Sequence, residues 1–308
     1  GVQGFDIVEM VKKITKYSVR VMKPERSIYE LKKAYHISTI KRPGPVWVDY
    51  PMDIQGSKIP KKSFEKYHTT IENKFSVNNE IKATIELIKD SSRPVFWFGQ
   101  GIRIAKAEKK IKELLDCFPF PFLVSWAGMD MVESSHPLNY GRAGVYGSRA
   151  GNFVVQNSDL VIAIGNRMSI PMIGDEQSEF ARNAKIIQVD IDKLELEKTK
   201  SIVNIGIQLD AGEFINKIIQ TKNNNIKSPE INNWIETCNG YKDRYPLIGP
   251  EHEDNSEYIN SYRFIDKLSD YLKNDQIIVT DTGTALLSGH QSIRIKSKQR
   301  LMTSTGLG

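Results

Sequence analysis

Cysteine is scarce in this chain: Cys117 and Cys238 are the two among 308 residues, and no Cys-x-x-Cys pair occurs. That spacing indicates neither a disulfide framework nor a thiolate zinc site, and leaves two structural thiols. Histidine is also thin, with five residues scattered along the chain. None stands at metal-ligand spacing, and no Ser-His-Asp or Cys-His set is legible, so hydrolase and metalloenzyme readings lack support. No uninterrupted apolar run approaches the ~20 residues needed to span a bilayer. The first residues, Gly1-Val-Gln-Gly-Phe-Asp6, carry neither the basic region nor the apolar region of a secretory signal. A cytoplasmic protein with no membrane segment is expected. Net charge is +6, but the basic residues interleave with acids, and the densest run, Arg294 to Arg300, holds no aromatic ring on which a base could stack. Nucleic acid is not an expected partner.

The hydrophobic share of 40% and charged share of 26% are those of an ordinary globular protein, and the length suggests about two domains. Helix and strand patterns alternate over the middle of the chain. The spacing predicts helices over 78–89, 105–115 and 211–220, with another opening near Ser148. Strands are predicted over 94–98, 122–125, 160–164 and 185–190. Strands of nearly continuous apolar and β-branched residues between amphipathic helices imply an α/β fold: a central Rossmann-like parallel sheet with helices on both faces. Before it, a helix over 24–38 leads through the rigid Pro43-Gly-Pro45 turn into a short buried strand, Val46 to Asp49, stopped by Pro51. That pattern reads as the end of a domain. Residues 55–76 are polar and weakly periodic, as a linker would be. The stretch from Thr221 past Pro250, with its Asn223 to Asn225 run and isolated Trp234, reads as a linker with one short helix. A helix over 261–273 and a buried strand over 276–281 then open a further αβ unit.

Chemistry is most legible where Asp281-Thr-Gly-Thr-Ala285 follows that strand and enters a helix. Gly283 lets the backbone approach a ligand while successive N–H groups point outward, an arrangement that attracts phosphate. An ordinary strand-to-helix connection has the same sequence pattern. In the central block, Gly99-Gln-Gly101 is weak as a nucleotide signal, because no third glycine or ribose-binding acid completes the fingerprint.

Taken in order, these segments resemble thiamin-diphosphate-dependent enzymes of the acetolactate synthase large-subunit type over nearly all of the chain. Asp281, Gly283 and the run Thr303 to Gly308 match both turns of that family's diphosphate-binding domain and their spacing. Gln3 to Val8 and Ile14 to Lys16 resemble the late part of its pyrimidine-binding domain, with Val2 and Gly4 in place of the usual Phe and Glu. The resemblance implies four parts: residues 1–70 as the C-terminal part of the pyrimidine-binding domain, 71–225 as the central Rossmann-like domain, 226–255 as a linker, and 256–308 as the start of the diphosphate-binding domain. It implies that Gly283, Thr284 and Ala285 meet the diphosphate and that the Gly308 carbonyl accepts from the aminopyrimidine. Thr284-Ala285 stands where typical acetolactate synthases have Gln-His. No residue of this chain is expected to be catalytic or to ligate metal. The activating Glu is expected upstream of Gly1 and the magnesium ligands downstream of Gly308, so that the chain is a piece of a longer enzyme and inactive alone.

The implied activity is decarboxylation of a 2-keto acid followed by carboligation, with thiamin diphosphate and Mg2+, in a homo-oligomer whose active site lies between subunits. A thiamin-dependent lyase or C–C hydrolase would share the same motifs. A non-enzymatic nucleotide- or acyl-CoA-binding module is the third reading. FAD, which some relatives hold in the central domain, is not expected: Met168-Ser-Ile-Pro171 replaces the charged run after Arg167, and Lys12 and Tyr146 stand where Arg and His are usual. For Gln3 and Lys16, an interface residue and a solvated cation are readings as good as substrate contact.

Overall fold

The structure is a computed structural model that describes residues 4–59, 65–69, 76–222, 231–255 and 257–303. Val2, Gln3, Asn223 to Asn225 and the run Ser304 to Gly308 lie outside the described residues. The chain divides into two compact units, 1–75 and 76–308.

In the first unit, α1 (Ile7–Val11) leads to β1 (Tyr17–Arg20), α2 (Ser27–Thr39), β2 (Val46–Asp49) and α3 (Met52–Gly56). β1 and β2 pair in parallel, with Val19 opposite Val48. The expected strand at Val46 is present, but it is half-buried, and Trp47 is 41% exposed. Polar ties close this small unit. Tyr17 donates to the buried Glu30 at 2.5 Å, and Arg20 pairs with Asp49 at 2.7 Å. Burial, then the bond to Glu30, pushes the Tyr17 phenol well above its ordinary pKa.

The second unit is built on five parallel strands in the order β4-β3-β5-β6-β7. They are β3 (Pro94–Phe98), β4 (Phe122–Val124), β5 (Leu160–Ile164), β6 (Lys185–Asp190) and β7 (Ile205–Gln208). Every residue of β3, β4 and β5 is buried. That is why those segments read as unbroken apolar runs rather than as alternating strands. The helices covering the sheet are α4 (Asn78–Asp90), α5 (Gly101–Ile104), α6 (Glu108–Cys117), α7 (Arg149–Asn157), α8 (Ile170–Ile173), α9 (Lys193–Lys198) and α10 (Ala211–Lys222). α4 buries Ile81, Thr84, Ile85 and Ile88, an i, i+3, i+4, i+7 stripe. α7 starts where predicted because Ser148 caps it, accepting from Gly151 N at 3.0 Å. At the centre, the rings of Phe96, Phe98, Phe120 and Phe122 pack with centroids 5.1 to 5.6 Å apart. Such pairs contribute roughly 0.5–1.5 kcal/mol beyond their area burial.

The polar stretch after α10 contains more order than its composition suggests. α11 (Asn232–Arg244) is 13 residues long and buries Trp234 and Cys238. The Trp234 indole donates to the Pro94 carbonyl at 3.0 Å, anchoring this helix to β3. The one apolar face was masked by the surrounding Asn, Lys and Asp residues. α12 (Ser261–Tyr271), β8 (Ile277–Thr280), α13 (Thr284–Ser292) and β9 (Arg300–Thr303) complete the unit. β8 and β9 pair in parallel, Ile278 opposite Leu301. Contrary to the expectation of a buried strand, β8 alternates: Ile277 is 63% and Val279 74% exposed.

Asp130 joins this outer pair to the sheet. Its carboxylate, 1% exposed, accepts from Arg103 at 2.6 Å, from Arg300 at 3.0 Å and from the Leu301 N–H at 2.8 Å.

Candidate functional site

β8 and β9 end together, and α13 begins where β8 ends. Strand carboxyl ends beside a helix N-terminus are where open parallel sheets bind ligands. Gly283 caps α13 with φ +67° and ψ −137°, a combination essentially reserved for glycine. A Cβ built there would meet nothing within 4 Å. Backbone conformation, not crowding, therefore demands glycine, and the space outside the turn is open. Thr282 N donates to the Asp281 carboxylate at 2.8 Å, folding the turn back on the strand. Gly283, Thr284 and Ala285 are all exposed. A helix start leaves its first N–H groups without intrahelical acceptors, and the helix dipole makes that end favourable to negative charge.

Two buried hydroxyls lie at the ends of these strands, under α13 rather than in the open turn: a Cβ at Gly289 would stand 3.5 Å from the Thr280 methyl. Thr280 and Thr303 are register partners at the last position of the β8–β9 ladder. Their buried hydroxyls have no hydrogen-bond partner among the described residues. An unsatisfied buried hydroxyl costs about 1–3 kcal/mol, and neither oxygen is open to the turn. Their signal in the sequence was a hydroxyl residue at a strand end just before a glycine turn. Of the four residues expected to hold cofactor, the structure brings Gly283, Thr284 and Ala285 to this turn; Gly308 lies outside the described residues. An anionic diphosphate fits the turn: it has open space and the exposed start of a helix. A magnesium ion finds no ligand set here, since among the described residues no three His, Cys, Asp or Glu side chains gather to hold a metal.

The central glycines have a different explanation. A Cβ at Gly99 would stand 2.1 Å from the Gly165 carbonyl oxygen, and one at Gly101 2.6 Å from Gly165 Cα. Gly99 N donates to Ile164 O and Gly101 N to Gly165 O, both at 2.9 Å. The Gly-x-Gly pair is thus required by two chain segments packing backbone to backbone.

Lys16 behaves as a clamp for the Pro43-Gly-Pro45 turn. Its ammonium donates to the Ile40 carbonyl at 2.8 Å and the Arg42 carbonyl at 2.9 Å. Lys12 pairs with Glu9 at 3.1 Å, Arg167 with Glu195 at 3.2 Å, and Tyr146 lies against the Trp126 ring. Met168 is buried at φ +48°.

Residues 81–218 match the family model described as thiamine pyrophosphate enzyme, central domain. The parallel-sheet region is accordingly similar to that central domain. Beyond it, the chain is similar to acetolactate synthase large subunits along almost its whole length. It is 30% identical over 312 residues to the one from Porphyra purpurea, covering 99% of this chain and 52% of that protein. It is 27% identical over 307 residues to the isozyme 2 large subunit of Escherichia coli K12, covering 99% and 53%. A probable acetolactate synthase large subunit from Methanocaldococcus jannaschii is 30% identical over 323 residues, again at 99% and 53%. The chain therefore spans about half the length of the curated relatives it matches, and the resemblance read from the motifs is borne out.

Proposed function

We propose that the protein carrying this chain is a thiamin-diphosphate-dependent enzyme that decarboxylates a 2-keto acid and joins the remaining fragment to a second carbonyl, as an acetolactate synthase does. The observation that carries this reading is the exposed Gly283 turn at the start of α13, at the place where the family resemblance puts the diphosphate. Within it, residues 256–308 are the opening of the diphosphate-binding domain, 71–225 the central domain and 1–70 part of the pyrimidine-binding domain.

When bound, thiamin diphosphate supplies the electron sink for breaking the bond beside the keto carbonyl. The chain's own contribution is placement. The N–H groups of Gly283, Thr284 and Ala285 hold the diphosphate by charge-assisted bonds, and the Gly308 carbonyl is assigned to the aminopyrimidine. Mg2+ belongs to the proposal as companion to the diphosphate, although the described residues offer it no ligands. The close packing of Gly99 and Gly101 against Gly165 supports a central domain that serves as a structural unit without flavin. Purified protein should then lack flavin absorbance. The working form is taken as a cytoplasmic homo-oligomer.

Gly283→Val in the complete protein tests the cofactor turn. Calorimetric titration with thiamin diphosphate and Mg2+ should give a dissociation constant raised tenfold or more, about 1.4 kcal/mol. The φ of +67° adds local strain of about 1–3 kcal/mol, which circular dichroism melting measures separately. Unchanged affinity would return the turn to an ordinary strand-to-helix connection. Product analysis with candidate keto acids separates carboligation from a lyase or hydrolase reaction.

A further inference from the structure

A second ligand-ready feature lies at the opposite end of α13 from the Gly283 turn. A nine-residue helix is about 14 Å long, so the two places are well apart. Here a cavity of about 220 Å³ opens between the loop 139–148, the start of α7, the end of α11 and Gln291 to Arg294. Three cations line it, Arg142, Lys242 and Arg294, and no Asp or Glu does.

Arg142 is the unusual one. It is 6% exposed, its Nε has no partner, and Nη1 reaches only the Met129 sulfur at 4.0 Å. No carboxylate among the described residues pairs with it. The nearby Asp130 is already engaged by Arg103, Arg300 and Leu301 N. Burial alone pushes the guanidinium pKa down to about 10, which leaves it charged at neutral pH. Lys242, also lowered by burial, donates to the Asn139 carbonyl at 3.0 Å rather than to an acid. Only Arg294 is neutralised, by Asp266 at 2.8 Å and Asp270 at 2.5 Å. A buried, unpaired guanidinium costs several kcal/mol unless an opposite charge reaches it.

The surroundings are those of an anion pocket. The N-terminus of α7, a nine-residue helix, contributes Ser148 and Ala150 to the lining, adding its positive dipole end. Gly147 and Gly151 hold the loop tight: a Cβ at either would lie 2.6 or 2.3 Å from the Arg142 carbonyl oxygen. The volume decides the size of guest. At roughly 30 Å³ per water, the cavity holds a few small-molecule heavy atoms but falls short of the ~300–1,000 Å³ of pockets for drug-sized ligands. We propose that this cavity is a binding site for a small oxyanion, a phosphate or a carboxylate, held by the Arg142 guanidinium with help from Lys242 and the α7 N-terminus.

Melting and calorimetry on the complete protein test this with inorganic phosphate and with acetate, against chloride at equal ionic strength. The wild type should gain several degrees, saturably, with at least one of them at millimolar concentration. Which one responds identifies the oxyanion. Arg142→Met removes the unpaired charge and keeps the bulk, so it should melt no lower than wild type in chloride and lose the response to the anion. Arg182→Gln, an exposed cation elsewhere, should leave the response intact. A wild type indifferent to both anions up to tens of millimolar overturns the proposal, as does an Arg142→Met protein that keeps the wild-type response. If that variant does not fold, the wild-type titration alone decides.

Discussion

The five-stranded sheet and the β8–β9 ladder are both built of short parallel strands, and β5 and β8 alike run from apolar residues into a glycine-bearing turn and a helix. They differ in cover. β3, β4 and β5 are buried on both faces, whereas β8 presents Ile277 and Val279 outward. The first arrangement fixes each side chain by packing and leaves its glycine turns filled with backbone. The second leaves space beside its glycine turn. The difference teaches that a glycine after a strand says little by itself; what occupies the volume around it decides whether it packs or binds.

The sharpest way to break this comparison is to remove bulk from the covered sheet. Phe98→Ala, at 0% exposure between the rings of Phe96 and Phe122, should cost about 3–5 kcal/mol in denaturant unfolding. A cost near zero would mean that the sheet is not the core.

Next in size is Asp130→Asn, which leaves the Arg103 and Arg300 guanidiniums without their shared carboxylate. Because Arg103 is largely buried while Arg300 is 41% exposed, the loss should approach the lower end of ~3–5 kcal/mol. It should loosen β9 more than β3, which amide exchange can read residue by residue.

His290, on the buried side of α13, sharpens the comparison through pH. Burial first, and Arg142 second, lower its pKa to about 4. Its neutral form is therefore the folded one. Stability is complete above the unfolded value of about 6.5 and declines as pH falls toward 4. The expected loss is on the order of 2 kcal/mol. His290→Gln should flatten that part of the stability–pH curve.

The smallest effect belongs to Val279→Thr. With Val279 74% exposed, the change should stay within about 0.5 kcal/mol. A large loss in the melting curve would show that β8 is covered in solution and more like the central strands than described.

Much of this was legible beforehand, for physical reasons that differ by region. Strands 94–98, 160–164 and 185–190 were readable because double burial writes a continuous apolar run, and Ser148 was readable as a cap because its oxygen is needed by the helix. β7 escaped notice: Ile205-Gly-Ile-Gln208 is too short and too polar to separate from a loop. The one short helix expected in the polar stretch is α11, but its 13-residue length and buried face were not legible, because the apolar stripe around Trp234 and Cys238 is diluted by eleven other residues, most of them polar. The Gly283 turn was legible as a candidate, but the backbone φ of +67°, a second reason for glycine there, was not. Arg142 was invisible as a ligand candidate, because nothing local in Gly141-Arg142-Ala143-Gly144 records that the guanidinium is enclosed and unpaired.

The Asp130 carboxylate has one more consequence, for self-association. The Leu301 N–H that it accepts points away from β8, toward the side where another strand would add. An exposed edge amide invites intermolecular strand pairing. Here that donor is already occupied by the Asp130 side chain, so β9 has no free amide at Leu301 to offer a further strand.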